Sequence, residues 1–188
     1  MVAAAVMASL VACKTFDDEA VPIAYAPAAS PTLVPGAEKV TLSVSAEDRR
    51  AQKDRIGIKS SINQPRVLAD NDIVEVVRGA VQNELRGEGF VIGSGGLAVT
   101  IYLQDFYYDA SRENLHGSGF STVTFALRVR DRAGATLYGR TYEAKTRLDF
   151  NFDKSAEKAR VGLQRALADA VRQVVDDKAL QAALLRRN

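Results

Sequence analysis

A chain of 188 residues, 47% hydrophobic and 26% charged, has the size and composition of one folded domain and is neither disordered nor fibrous. With 25 basic against 23 acidic residues, the signs mixed along the chain, nothing recruits a polyanion in bulk, so nucleic acid is not an expected partner. A single cysteine excludes an intramolecular disulfide, and the fold must rest on packing.

Residues 1–12, MVAAAVMASLVA, are uncharged, mostly apolar, and end against Cys13. The run is shorter than the roughly 20 apolar residues that span a bilayer, and it has the length of the apolar part of a secretory signal. Leu10, Val11 and Ala12 before Cys13 match a lipobox: a branched side chain, modest ones that admit the signal peptidase, then the thiol that accepts a diacylglyceryl group. Cys13 is therefore the expected lipid attachment site, and two or three acyl chains, at roughly 0.8 kcal/mol per buried CH₂, hold a protein on a membrane durably. No Lys or Arg precedes Cys13, so the translation start is expected upstream. Lys14 stands where Asp typically retains a lipoprotein at the inner membrane, and so points to the outer membrane. Residues 13–38 hold Pro22, Pro27, Pro31 and Pro35 among small residues, which predicts an extended tether. At roughly 3.1 Å per residue it would reach some 75 Å into the periplasm. Residues 39–188 are the predicted domain.

Its first element is a half-buried strand, Val40 to Ser45, in which Val40, Leu42 and Val44 alternate with polar residues. Ile56-Gly57-Ile58 is a short second strand or irregular edge. A helix follows from Asp72 to Arg86, with Asp72 and Glu75 spaced as a capping box and Ile73, Val77, Val81 and Leu85 on one face. Gly87 and Gly89 stop it, and Phe90-Val91-Ile92 begins a strand. Leu97, Val99, Ile101 and Leu103 alternate with Ala98, Thr100, Tyr102 and Gln104; Ser121 to Arg130 repeats the pattern; and Leu137 to Thr146 returns after the Asp131–Gly134 turn. A helix from Ser155 to Val175, with Leu163, Leu167, Val171 and Val174 on one face, covers the sheet, and a short turn through Leu184-Leu185 ends the chain. The predicted fold is α+β: an antiparallel sheet in β-α-β-β-β-α order with two helices on one face.

The lipobox, the strand running into Asp48-Arg49, the Ile56-Gly57 pair, the helix closing on Gly87-Glu88-Gly89-Phe90 and Gly134 in the meander turn together resemble the YajG-like bacterial lipoproteins. The likeness spans about residues 10–150. It implies an outer-membrane, periplasm-facing lipoprotein with no catalytic signature, similar in layout to the auxiliary lipoproteins of ABC-type envelope transporters.

The chemistry-bearing residues are sparse. His116 is the only histidine, and Cys13 is committed to the anchor, so no metal, cofactor or catalytic residue is expected. Gly93, Gly95 and Gly96 precede a strand and lack the Lys-Ser/Thr of a phosphate loop, which makes them a turn. The pairs Asp17-Asp18 and Asp176-Asp177 read as solvated, as do the basic runs Arg49-Arg50, Lys53–Arg55 and Arg186-Arg187. Phe106, Tyr107, Tyr108 and Phe120 bracket the polar loop 109–119 and either cap the core or form a partner-binding patch. The expected role is non-catalytic, a binding or scaffold lipoprotein with an envelope protein or lipid as partner. The alternative is an auxiliary subunit of an ABC-type transport system holding an apolar ligand between sheet and helices.

Overall fold

The computed structural model describes residues 17–27, 31–59, 64–111, 116–151 and 156–186. Cys13 and the lipobox residues Leu10, Val11 and Ala12 lie outside them, as do residues 112–115 in the predicted polar loop. In chain order the elements are β1 (Glu19–Val21), a 3-10 turn (Ala37–Lys39), β2 (Thr41–Asp48), β3 (Gly57–Ile58), β4 (Arg66–Ala69) and α1 (Ile73–Gly87). Then come β5 (Val91–Ile92), β6 (Leu97–Ser111), β7 (His116–Arg130), β8 (Thr136–Asn151), α2 (Ala156–Val175) and α3 (Lys178–Leu185).

The sheet has eight strands and is mixed, which corrects the purely antiparallel expectation. Strands β6, β7 and β8 form the predicted meander, in register from Ala98↔Arg130 and Val129↔Tyr138 toward the far end. The other flank of β6 is parallel: β2 runs beside its first half (Leu42↔Leu97 to Asp48↔Leu103) and β3 beside its second (Gly57↔Tyr108). Between β2 and β6 the chain travels through β3, β4 and α1, and a connection of that length is what brings strands side by side in the same direction. Beyond β3 lie β4, antiparallel to it, and β1, parallel to β4.

Strand β1 corrects the tether expectation. Val21 and Ile23 are buried, Asn71 brackets Ile23 by accepting from its N–H at 3.0 Å and donating to its C=O at 2.8 Å, and Ala37 is fully buried. The prolines shape the path of this segment without preventing its docking, because their neighbours still offer apolar side chains.

Helix α1 starts at Asp72, whose carboxylate accepts from the N–H groups of Val74 (2.8 Å) and Glu75 (3.3 Å). Glu75 turns away from the capping box and pairs with Arg78. At the other end Gly89, at φ +102°, lets the Phe90 N–H return to the Leu85 C=O at 3.1 Å. Helix α1 lies over β2 and β5, α2 over β7 and β8, and the two helices touch. Val77, Val81, Leu163 and Leu167 meet Val99, Val123, Phe125 and Leu127, all at most 1% exposed, each contributing roughly 1.5–3 kcal/mol by leaving water. Helix α2 approaches closely because Gly162 faces Ser121: a Cβ there would sit 2.2 Å from Ser121 Oγ.

Strand β6 carries a bulge at Gln104, where its register against β7 shifts between Leu103 and Asp105. Before it, Val99, Ile101 and Leu103 face the helices; after it, Phe106, Tyr108 and Ala110 do. One extra residue exchanges the parity of the strand's two faces.

Candidate functional site

The bulge divides the predicted aromatic patch. Phe106 (1% exposed) and Tyr108 (2%) point into the core, Tyr107 is half-buried on the opposite, helix-free face, and Phe120 is exposed on that same face. Phe106 and Tyr108 therefore cap the core and are no part of a surface patch. Across the open face Tyr107 sits in register with Thr122 and Lys145, and Asp109 with Phe120 and Arg147. The Arg147 guanidinium lies 5.7 Å from the Phe120 ring centroid, and Arg49 lies 3.7 Å over Tyr102.

Beside the bulge, Arg50, Gln52, Gln104, Asp105 and Tyr107 line a shallow recess of about 350 Å³. Arg50 is not solvated surface. It donates through Nε (3.0 Å) and Nη2 (2.9 Å) to Asp48, its side chain is 8% exposed, and its Nη1 is buried without a hydrogen-bond partner. The Arg50 guanidinium holds Asp48 below the usual carboxylate range, while burial pushes Asp105 up.

A larger cleft, about 530 Å³, opens at the end of the sheet where β2 and β6 begin. Four parts of the chain meet there: the 3-10 turn, the β5–β6 connection, the β7–β8 turn and the end of α3. Its floor is apolar, from Val40, Leu97, Leu184 and Leu185, and Lys39, Arg132 and Arg186 stand around it. Among the described residues no acidic side chain lines it. Its base is fixed by the contact of β2 with Gly96, where a Cβ would lie 1.8 Å from the Thr41 carbonyl oxygen. Lys39 Nζ is 3.9 Å from Glu38, both exposed, a contact of little energetic weight.

Helix α3, which carries Leu184 and Leu185, is held by a buried cluster around Asp177, a residue that sequence alone predicts to be solvated. Asp177 is 6% exposed. One carboxylate oxygen accepts from Tyr138 Oη (2.5 Å), Arg140 Nη1 (2.7 Å) and Tyr142 Oη (3.0 Å). The other caps α3 through the N–H groups of Ala179 (2.9 Å) and Leu180 (3.1 Å). Burial alone would raise this carboxyl, but the bonds from Tyr138, Leu180, Tyr142 and Arg140 prevail and hold it at about 2. Midway along α3, Gln181 Nε2 donates to buried Glu88 (2.7 Å) and to the Val175 C=O (2.9 Å), and burial pushes the Glu88 carboxyl up to about 7. These bonds join segments dozens of residues apart, so the only sequence trace of the cluster is an Asp spaced to cap a short helix. Among the described residues no three His, Cys, Asp or Glu side chains gather as a metal would need, and no helix is long and apolar enough to cross a membrane.

A family model described as an uncharacterized lipoprotein matches residues 27–185, from just after β1 to the end of α3. The chain belongs to this bacterial lipoprotein family. Membership associates it with the bacterial cell envelope. No curated protein matches the chain. Among solved structures, a Xanthomonas campestris protein shares the fold at a TM-score of 0.62 with 11% identity, covering 87% of this chain and 96% of that one. A minor lipoprotein of Acinetobacter baumannii is similar at 0.48 with 12% identity (80% and 96% covered). PelC of Paraburkholderia phytofirmans, a dodecamer, is similar at 0.43 with 12% identity (86% and 95%). The lipoprotein family's matched span contains the residues that line the cleft except Arg186, which follows it directly.

Proposed function

We propose that this chain is a YajG-like lipoprotein anchored through acylated Cys13, residues 1–12 being its signal, and that its domain serves the outer membrane as a non-catalytic binding or scaffold module facing the periplasm. The observation that carries the reading is how near to Cys13 in the chain docked residues lie. Asp18 already pairs with Arg66, and Glu19 is the first residue of β1, so at most about 14 Å of extended chain separates Asp17 from Cys13. An anchor at that cysteine would hold the domain against the bilayer, in place of the 75 Å reach that a free tether would give. The polar groups with the most unusual environments, Asp177, Arg50 and Glu88, are engaged in holding helices and strands, which favours binding over chemistry. Mass spectrometry of the membrane-fraction protein is expected to find an acylated N-terminal Cys13, and Cys13→Ser to release the chain. Recovery of an unmodified, soluble chain from both forms would reject the anchor.

One observation favours the second reading, an auxiliary lipid-binding subunit of an envelope ABC-type transport system: the apolar-floored cleft with three cations at its edge. The ligand's place would be there and not between sheet and helices, since that space is filled by fully buried side chains.

A further inference from the structure

The cleft at the start of β2 and β6 combines two surfaces that rarely coincide without a use. Leu97, Leu184 and Leu185 are among its apolar lining, Lys39, Arg132 and Arg186 among its polar lining, and no carboxylate side chain among the described residues lines it. Of the three, Lys39 has only the exposed Glu38 at 3.9 Å, a looser contact than the pairs of Arg50 with Asp48, Arg66 with Asp18, Arg140 with Asp177 or Arg78 with Glu75. About 530 Å³ of space, lined by apolar and polar surface in similar measure, has the size of a small-molecule site. Placing an anion among three cations is favourable, and an apolar chain on the leucines gains by leaving water. We infer that the cleft binds a free, single-chain anionic amphiphile, its phosphate or carboxylate among Lys39, Arg132 and Arg186 and its acyl chain along Leu97, Leu184 and Leu185.

Strand topology says where such a ligand comes from. Leu97, at the cleft, begins β6; eleven residues on, Tyr108 pairs with Gly57, Gly57 with Val67, and Val67 with Glu19 of β1. At roughly 3.3 Å per residue, the chain enters the domain some 36 Å along the sheet from the cleft. A leaflet that held Cys13 would therefore lie nearer the far end of β6 than the cleft. That orientation rests on the Cys13 anchor proposed above; the ligand chemistry does not.

The test uses the full chain carrying Cys13→Ser, titrated with lysophosphatidylglycerol, lysophosphatidylcholine of the same chain length, and glycerol phosphate. At least tenfold tighter binding of the anionic lysolipid than of the zwitterionic one is expected, with none of the headgroup alone. Lys39→Gln with Arg132→Gln should erase the preference, and Leu185→Gln should weaken both lysolipids, each variant keeping the parent's circular dichroism. Equal binding of all three probes, no binding of the anionic lysolipid, or a preference surviving the double variant would overturn the inference. So would flotation with phosphatidylglycerol vesicles that depends on the same cations, which would make the ligand a membrane surface. Acylation of Cys13 is read separately by mass spectrometry, so a failed anchor and a failed ligand are told apart.

Discussion

Strand β1 and helix α3 are the first and last described elements, and each docks on a sheet built mostly by residues 41–151, but by different means. Strand β1 is held by three ladder pairs with β4, by the burial of Val21 and Ile23, by an exposed ion pair in which Arg66 grips Asp18 through Nε and Nη2, and by the buried Lys59, whose Nζ lies 3.4 Å from half-exposed Glu19. Helix α3 is held by Asp177 and Glu88, both withdrawn from water and both bonded to distant parts of the chain. Exposed pairs are screened by water and salt, whereas a buried carboxylate that loses a partner leaves several groups unsatisfied. The fastening near the proposed anchor should therefore respond in part to salt, and the one beside the cleft to pH.

The largest effect is expected at Asp177. Asp177→Ala uncaps α3 and strands Tyr138, Tyr142 and Arg140, at a cost of about 3 kcal/mol, or roughly 6–12 °C in the thermal midpoint of a chain this size. A drop no larger than that of an exposed helix-cap variant would show that the two fastenings do not differ in kind. Next comes Glu88. Its carboxyl, raised by burial from 4.5 to about 7, favours the folded state below pH 4.5 and withdraws that stability as pH rises through 7. Glu88→Gln should stabilise by about 2 kcal/mol at pH 8 and change little at pH 4.5, read from urea midpoints at both values. Asp177, held at about 2, has the opposite sign: its contribution is complete above pH 4 and fades as pH falls toward 2. Docking of α3 should accordingly be firmest near pH 4.5. The smallest effect is expected at Arg66→Ala, which should leave the thermal midpoint in high salt nearly unchanged while speeding amide exchange in β1 alone. Global destabilisation by that variant would mean that β1 is part of the core's cooperative unit.

Much of this architecture can be read from local pattern. The meander of β6, β7 and β8, the Asp72 cap and the apolar faces of both long helices follow from spacing within a dozen residues. What cannot be read that way depends on partners remote in sequence. The parallel pairing of β2 with β6 requires knowing how the chain between them travels, and β1 has too few residues to show a period among prolines. The cleft draws Lys39, Arg132 and Arg186 from three segments, so neither their convergence nor the lack of acids between them has a linear trace. The aromatic patch failed for another reason: Phe106, Tyr107 and Tyr108 are adjacent, and only the bulge at Gln104 decides which of them face water.

That bulge also bears on how members of this family are to be matched to one another. A relative lacking the extra residue would carry the same alternation on both sides of position 104 but out of step by one. An ungapped alignment would then set its interior residues against Asp105, Tyr107 and Asp109 and its exterior ones against Phe106, Tyr108 and Ala110. Placing a single gap at Gln104 restores the correspondence, and between distant members such a gap decides whether the second half of the strand shows kinship or noise.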